Sequence, residues 1–190
     1  TGASKALYPN LPNEHIQLTV SRDEYLPGDS AQIFIPNPLD AEVQALITIE
    51  RGTIHKSEII NIAAGGATYT LPLSEDDAPN IFFSAVLLGA EKFRVGYTEI
   101  NVSPLAQLLN VNLTSQPMRS EPGGEVHFGI QVTDAAGSPV QGEFSLALVD
   151  LAALALADPN SEPIENAFYK KTGLGIKTTL SLAGDSIYGV

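Results

Sequence analysis

The chain has 190 residues, 44% of them hydrophobic and 17% charged, and no cysteine. That composition supports a packed core rather than disorder and excludes disulfides, thiolate metal sites and cysteine nucleophiles. Ten Lys and Arg against 22 Asp and Glu leave a formal charge of −12, which argues against nucleic acid and anionic membrane surfaces as partners, since both require clustered cations.

Residues 1–13 read as an N-terminal tail, broken by Pro9 and Pro12. Ile16, Leu18 and Val20 then alternate with polar neighbours, the period-2 pattern of a half-buried strand. Tyr25-Leu26-Pro27-Gly28-Asp29 follows, with Pro27-Gly28 suited to the centre of a type II turn. Ala31, Ile33 and Ile35 form the next alternating run, ending at Pro36-Asn37-Pro38. Val43, Ala45, Ile47 and Ile49 repeat the pattern; residues 54–62 and 69–73 add two more candidates, separated by Gly65-Gly66. Residues 80–88 are apolar on both faces, as expected of a central strand, and Phe93, Val95 and Tyr97 begin a last strand that runs to about Val102. Short strands at this spacing, with no helix-period segment, predict an antiparallel β-sandwich of seven strands over residues 14–103.

Ser103-Pro104 reads as a domain boundary. Beyond it, Leu109, Val111 and Leu113 start a strand. Val126, Phe128, Ile130 and Val132 give the strongest alternation in the chain, Asp134 to Gly137 a hairpin turn, and Phe144, Leu146 and Leu148 a further strand. Asp150 is placed to cap a short helical turn over Leu151–Leu156. The stretch Ser120-Glu121-Pro122-Gly123-Gly124 corresponds to the first Pro-Gly turn, as two tandem sandwiches of one type would show. The second copy is incomplete, because only one further convincing strand, near Ile176–Leu182, follows Asp150. With no signal-peptide pattern at Thr1, the chain reads as a mature or excised piece of a longer protein.

The search for catalytic chemistry is nearly empty. His15, His55 and His127 are far apart and lie in or beside strands, and no HExxH, GxSxG or GxxxxGK[ST] motif occurs. Glu75-Asp76-Asp77 is the one tight acidic cluster; it lacks EF-hand spacing and reads as a solvated loop. Asn101-Val102-Ser103 and Asn112-Leu113-Thr114 match the glycosylation sequon. Residues 157–190 carry four Gly, two Pro and the cations Lys170, Lys171 and Lys177. Such a composition predicts an easily nicked stretch, either a loose loop or a segment meant to be cut.

The run Ser145-Leu146-Ala147-Leu148-Val149-Asp150, followed by Ala152-Ala153-Leu154-Ala155-Leu156, resembles the Leu-Val-Asp-Glu-Ala-Val-Leu-Ala-Leu signature of bacterial alpha-2-macroglobulin-like proteins. Tyr25-x-Pro27-Gly28-Asp29, Ile49-Glu50-Arg51-Gly52, Ala78-Pro79-Asn80 and Phe93-Arg94-Val95-Gly96-Tyr97 are similar to the macroglobulin-type domain that precedes it. Leu151 stands where the signature has Glu, which removes a carboxylate and leaves the packing role of the Leu and Ala residues; Val149, Asp150, Ala152 and Leu154 are the signature residues the resemblance picks out.

The resemblance implies two macroglobulin-type, immunoglobulin- or fibronectin-like sandwiches at 14–103 and 104–190, with a flexible bait-proximal segment from about residue 157. It implies a non-catalytic fragment of an exported, broad-spectrum endopeptidase trap of the bacterial periplasm or cell surface. Lys170, Lys171 and Lys177 are its candidate cleavage sites. Endopeptidases would be met through the full-length parent, and neighbouring domains of the same chain would be the other partners. No cofactor, metal, nucleic acid or small-molecule substrate is expected. A tandem immunoglobulin-like adhesion or carbohydrate-binding module is the alternative, weakened by the absence of Trp for sugar stacking.

Overall fold

The computed structural model describes residues 14–90, 92–121, 123–149, 155 and 164–176. They fall into two compact units. The described part of the first covers 14–103 and 171–176, and that of the second lies within 104–170.

The first unit is all-β. Strands β1 (Thr19–Val20), β2 (Ser30–Ile35) and β5 (Ala67–Pro72) form one antiparallel sheet in the order β1-β2-β5. Strands β3 (Val43–Arg51), β4 (Thr53–Ile62), β6 (Asn80–Leu88) and β7 (Phe93–Asn101) form the other in the order β4-β3-β6-β7. Ala31, Ile33, Ile35 and Leu71 from the first sheet and Ala45, Ile47, Ile49, Phe83, Ala85 and Leu87 from the second share one buried cluster, the arrangement of a β-sandwich. The period-2 spacing of the apolar residues is what brings them onto the inner faces. Strand β6 is interior, between β3 and β7, and its outer-face residues Asn80, Phe82, Ser84 and Val86 are also buried, which explains its unbroken apolar run.

The turn at Pro27-Gly28 is of type II. The Asp29 N–H donates to the Leu26 carbonyl at 3.0 Å, and Gly28 has φ +91°. Tyr25 before it is 1% exposed, and its main chain pairs with Asn101 and Ser103. At Gly123 (φ +84°) the turn recurs, with the Gly124 N–H on the Glu121 carbonyl at 2.9 Å. Asn37, read from the sequence only as part of a loop, is a buried hub. Its Nδ2 donates to the carbonyls of Ala41, Ile62 and Ala63 at 2.9–3.1 Å, and its Oδ1 accepts the Leu39 N–H at 3.0 Å.

Among the described residues the second unit contains two strands rather than seven, β8 (Asn110–Gln116) and β9 (His127–Thr133), paired antiparallel. Val111 lies opposite Val132 and Leu113 opposite Ile130. The Asp134 carboxylate shapes the turn after β9 by accepting the N–H groups of Ala136 and Ser138. Phe144, Leu146 and Leu148 alternate as expected but lie outside any described ladder, and all three are exposed. The apolar pattern there was sufficient for strand propensity, but a strand needs a neighbour to satisfy its backbone. A short helix α1 (Ile164–Phe168) follows. The tail at 1–13 lies outside the described residues, as does the helical turn expected at 151–156 except for Ala155, which is helical. The strand expected at 176–182 also lies outside them beyond Ile176.

Candidate functional site

The residues expected to carry function lie at the end of the described chain. Lys170 is exposed. Lys171 is seated on the first unit: its Nζ donates to Asn101 Oδ1 and lies 3.3 Å from Glu99 Oε1. The next residue makes the closer contact. The Thr172 N–H donates to Asn80 Oδ1 at 3.1 Å, and the Thr172 carbonyl accepts from Asn80 Nδ2 at 2.9 Å. The Asn80 amide thus presents one acceptor and one donor to a single residue's backbone, as a neighbouring strand would.

The register of the four-stranded sheet builds this arrangement. Asn80 opens β6 directly opposite Asn101 on β7, with Glu99 two residues back on the same face. Glu99 Oε1 accepts the second Asn80 Nδ2 hydrogen at 3.0 Å. With two acceptors on the nitrogen side and an N–H on the oxygen side, only one orientation of the amide satisfies all three contacts. Asn80 is fully buried, whereas Lys171 and Glu99 keep their side chains more than a third exposed. Solvent therefore screens the ion pair, and the amide contacts dominate. Farther along, Gly175 (φ +67°) lies close to the β3–β4 turn: an added Cβ would stand 3.2 Å from the Gly52 Cα. The segment 171–175 therefore runs from β7 past β6 to the tip of β3. Composition signalled a cuttable stretch here but not its attachment; Asn80, the residue that holds it, is marked in the sequence as a polar residue opening an apolar strand and as the last residue of the Ala78-Pro79-Asn80 motif, neither of which points to Thr172.

The other sequence-singled residues are distributed. Lys177, Asp150, Ala152 and Leu154 lie outside the described residues, and Val149 is exposed. His15 forms a bridge beside Val95, His55 sits on β4, and His127 opens β9 in the other unit, 3.6 Å from Glu125. The acidic loop Glu75–Asp77 is a 3-10 turn with a structural role. Ser74 and Asp77 cap it reciprocally, and the Arg51 guanidinium donates to the carbonyls of Asp76 and Ala78. Among the described residues no group of three His, Asp or Glu side chains is placed to hold a metal ion.

The residues of Tyr25-x-Pro-Gly-Asp, Arg51-Gly52, Asn80 and Arg94-Val95-Gly96 thus all form contacts that tie loops and segments to the sandwich. A family profile described as the alpha-2-macroglobulin bait region domain matches residues 16–156, about three quarters of the chain. The chain belongs to the alpha-2-macroglobulin bait region domain family. Among the described residues its strands form antiparallel sheets throughout. The alpha-2-macroglobulin homolog of Nostoc sp. is 20% identical over 94% of this chain and 10% of its own length. That of Deinococcus radiodurans is 26% identical over 77% of this chain and 14% of its own. The chain therefore spans a small fraction of these relatives. The matched stretch ends before Lys170, so the docked segment lies outside it.

Proposed function

We propose that this bait-region-family chain is a scaffold fragment of an exported endopeptidase inhibitor of the alpha-2-macroglobulin type, acting at the bacterial periplasm or cell surface. It would comprise two immunoglobulin-like macroglobulin domains, the second completed by sequence elsewhere in the parent, with Lys170, Lys171 and Lys177 as candidate cleavage sites. The observation that carries this reading is a contrast in how the backbone is held. Strands of the first unit are paired on ladders and packed on a common core, whereas the chain at 171–172 is held by side-chain contacts alone. A protease must draw its substrate into an extended, unpaired conformation. It therefore reaches the second kind of backbone at a far smaller opening cost than the first. Phe144, Leu146 and Leu148, exposed and outside any ladder among the described residues, leave an apolar edge that a further strand of the second domain would cover.

The test uses the full-length parent. Incubated with trypsin, it should carry the protease with it through size-exclusion chromatography, and deleting the region after Tyr169 should abolish that association. Trapping that survives the deletion would remove the cleavage role from this segment.

A further inference from the structure

The Asn80 contact controls more than the path of the chain. Cleavage after Lys171 requires the Lys171–Thr172 peptide bond to enter a protease cleft, where the substrate's own N–H and carbonyl groups pair with the enzyme as an added strand. Both main-chain groups of Thr172 are already paired, the N–H to Asn80 Oδ1 and the carbonyl to Asn80 Nδ2. The amide cannot swivel away at low cost, because Glu99 holds its remaining hydrogen, and Asn80 is fully buried at the start of an interior strand. Lys171, the side chain a trypsin-like enzyme must take into its specificity pocket, is engaged by Glu99 and Asn101.

We propose that Asn80, oriented by Glu99, is a main-chain docking site whose occupant is the chain's own Lys171–Thr172, and that this contact withholds the Lys171–Thr172 bond from proteases until the segment lifts off. The proposal rests on the reading of this segment as a protease target and adds the device that sets its accessibility. The site accepts an extended backbone through one donor and one acceptor and favours a cation on the preceding residue. Attack at Lys171 then proceeds through a pre-equilibrium opening, so its rate follows the stability of the contact rather than the intrinsic preference of the protease.

Asn80→Asp in the full chain places a carboxylate against the Thr172 carbonyl and Glu99, removing both nitrogen-side contacts while keeping the size of the residue. Cleavage after Lys171 should rise roughly five- to thirtyfold relative to cleavage after Lys177 in the same digest, as the loss of the bond to the Thr172 carbonyl and the repulsion between that carbonyl and the new carboxylate imply. Thr172→Pro breaks the pair from the other side, without altering β6, by deleting the N–H; it should raise cleavage after Lys170 comparably. Hydrogen exchange supplies the independent readout: the Thr172 amide should be protected in the wild type and exchange faster in Asn80→Asp, while amides of β6 and β7 stay protected. If Asn80→Asp fails to fold, Thr172→Pro decides. An unprotected Thr172 amide in the wild type, or cleavage rates unchanged in both variants, would overturn the docking site. A wild-type first cut inside residues 30–100 would instead defeat the protease-target reading, leaving the exchange result to judge the docking site by itself.

Discussion

Gly96 lies beneath the main chain of Ile16, whose N–H donates to the Val95 carbonyl at 2.9 Å. A Cβ at Gly96 would stand 2.4 Å from the Ile16 carbonyl oxygen and 2.9 Å from its Cγ1. Gly96→Ala must therefore push the 14–18 segment off β7 or distort the strand, at a cost of about 1–3 kcal/mol. Urea denaturation should show a lower midpoint, and an unchanged midpoint would mean that the segment is not seated there. Asn37→Ala leaves the Leu39 N–H and the carbonyls of Ala41, Ile62 and Ala63 without their shared partner. It should cost about 1–3 kcal/mol in the same assay. Neither effect is visible in local sequence. Gly96 sits in an ordinary alternating strand, and Asn37 between two prolines resembles any loop. Gly96 meets the distant Ile16, and Asn37, besides its near neighbours Leu39 and Ala41, reaches Ile62 and Ala63, 25 and 26 residues away; local pattern carries no information about such distant partners. Asn80 and Thr172, 92 residues apart, are the extreme case.

At the scale of elements, apolar alternation made most strands of the first unit legible, because burial on one face imposes period 2 directly, and the unbroken apolar run of 80–88 marked the interior strand β6; the first strand is shorter than the alternation from Ile16 suggested, Thr19–Val20. The order of strands, and which edges meet, was not legible. One consequence is a cluster joining the edge strands of the two sheets, β4 and β5. The Tyr69 hydroxyl donates to Glu58 Oε1, and Lys56 Nζ lies 3.2 Å from both. The Tyr69 ring also packs on Phe83, with centroids 5.1 Å apart. The hydrogen bond from Tyr69, then that from Lys56, draws Glu58 below its ordinary value of 4.5. Contact with the Tyr69 oxygen, then with Glu58, raises Lys56 above 10.5. Burial, then Glu58, pushes Tyr69 above 10.0. A lowered carboxylate contributes stability above its unfolded value and loses it as pH falls through the folded one. The two raised groups contribute fully below about pH 10 and lose it as pH rises further. Tyr69→Phe keeps the ring and removes the hydroxyl. Its destabilisation, measured by thermal melting, should be larger at pH 7 than at pH 3; equal losses at the two pH values would show that Glu58 is not held by Tyr69. The exposure of the site keeps the effect small.

For the molecule as a whole, the absence of cysteine excluded thiol chemistry within this chain, the acidic charge argued against nucleic acid, and short motifs pointed to the family. The resembling motifs of the first unit turned out to fasten pieces of chain to the sandwich: Tyr25 and Asp29 the first turn, Arg51 the acidic loop, Asn80 the 171–172 segment, Gly96 the 14–18 segment. The second unit was less legible, because alternation in Phe144, Leu146 and Leu148 specifies a strand without supplying the neighbour that would pair it. The account's central claim is that protease susceptibility is partitioned between a ladder-paired sandwich and a segment held by a few side-chain contacts. Limited trypsin digestion of the full chain, with the earliest fragments identified by mass spectrometry, tests it most directly. The first cuts should fall after Lys170, Lys171 or Lys177, leaving residues 14–150 in resistant pieces. First cuts at Arg51, Lys56, Lys92 or Arg94, within the sandwich, would contradict it.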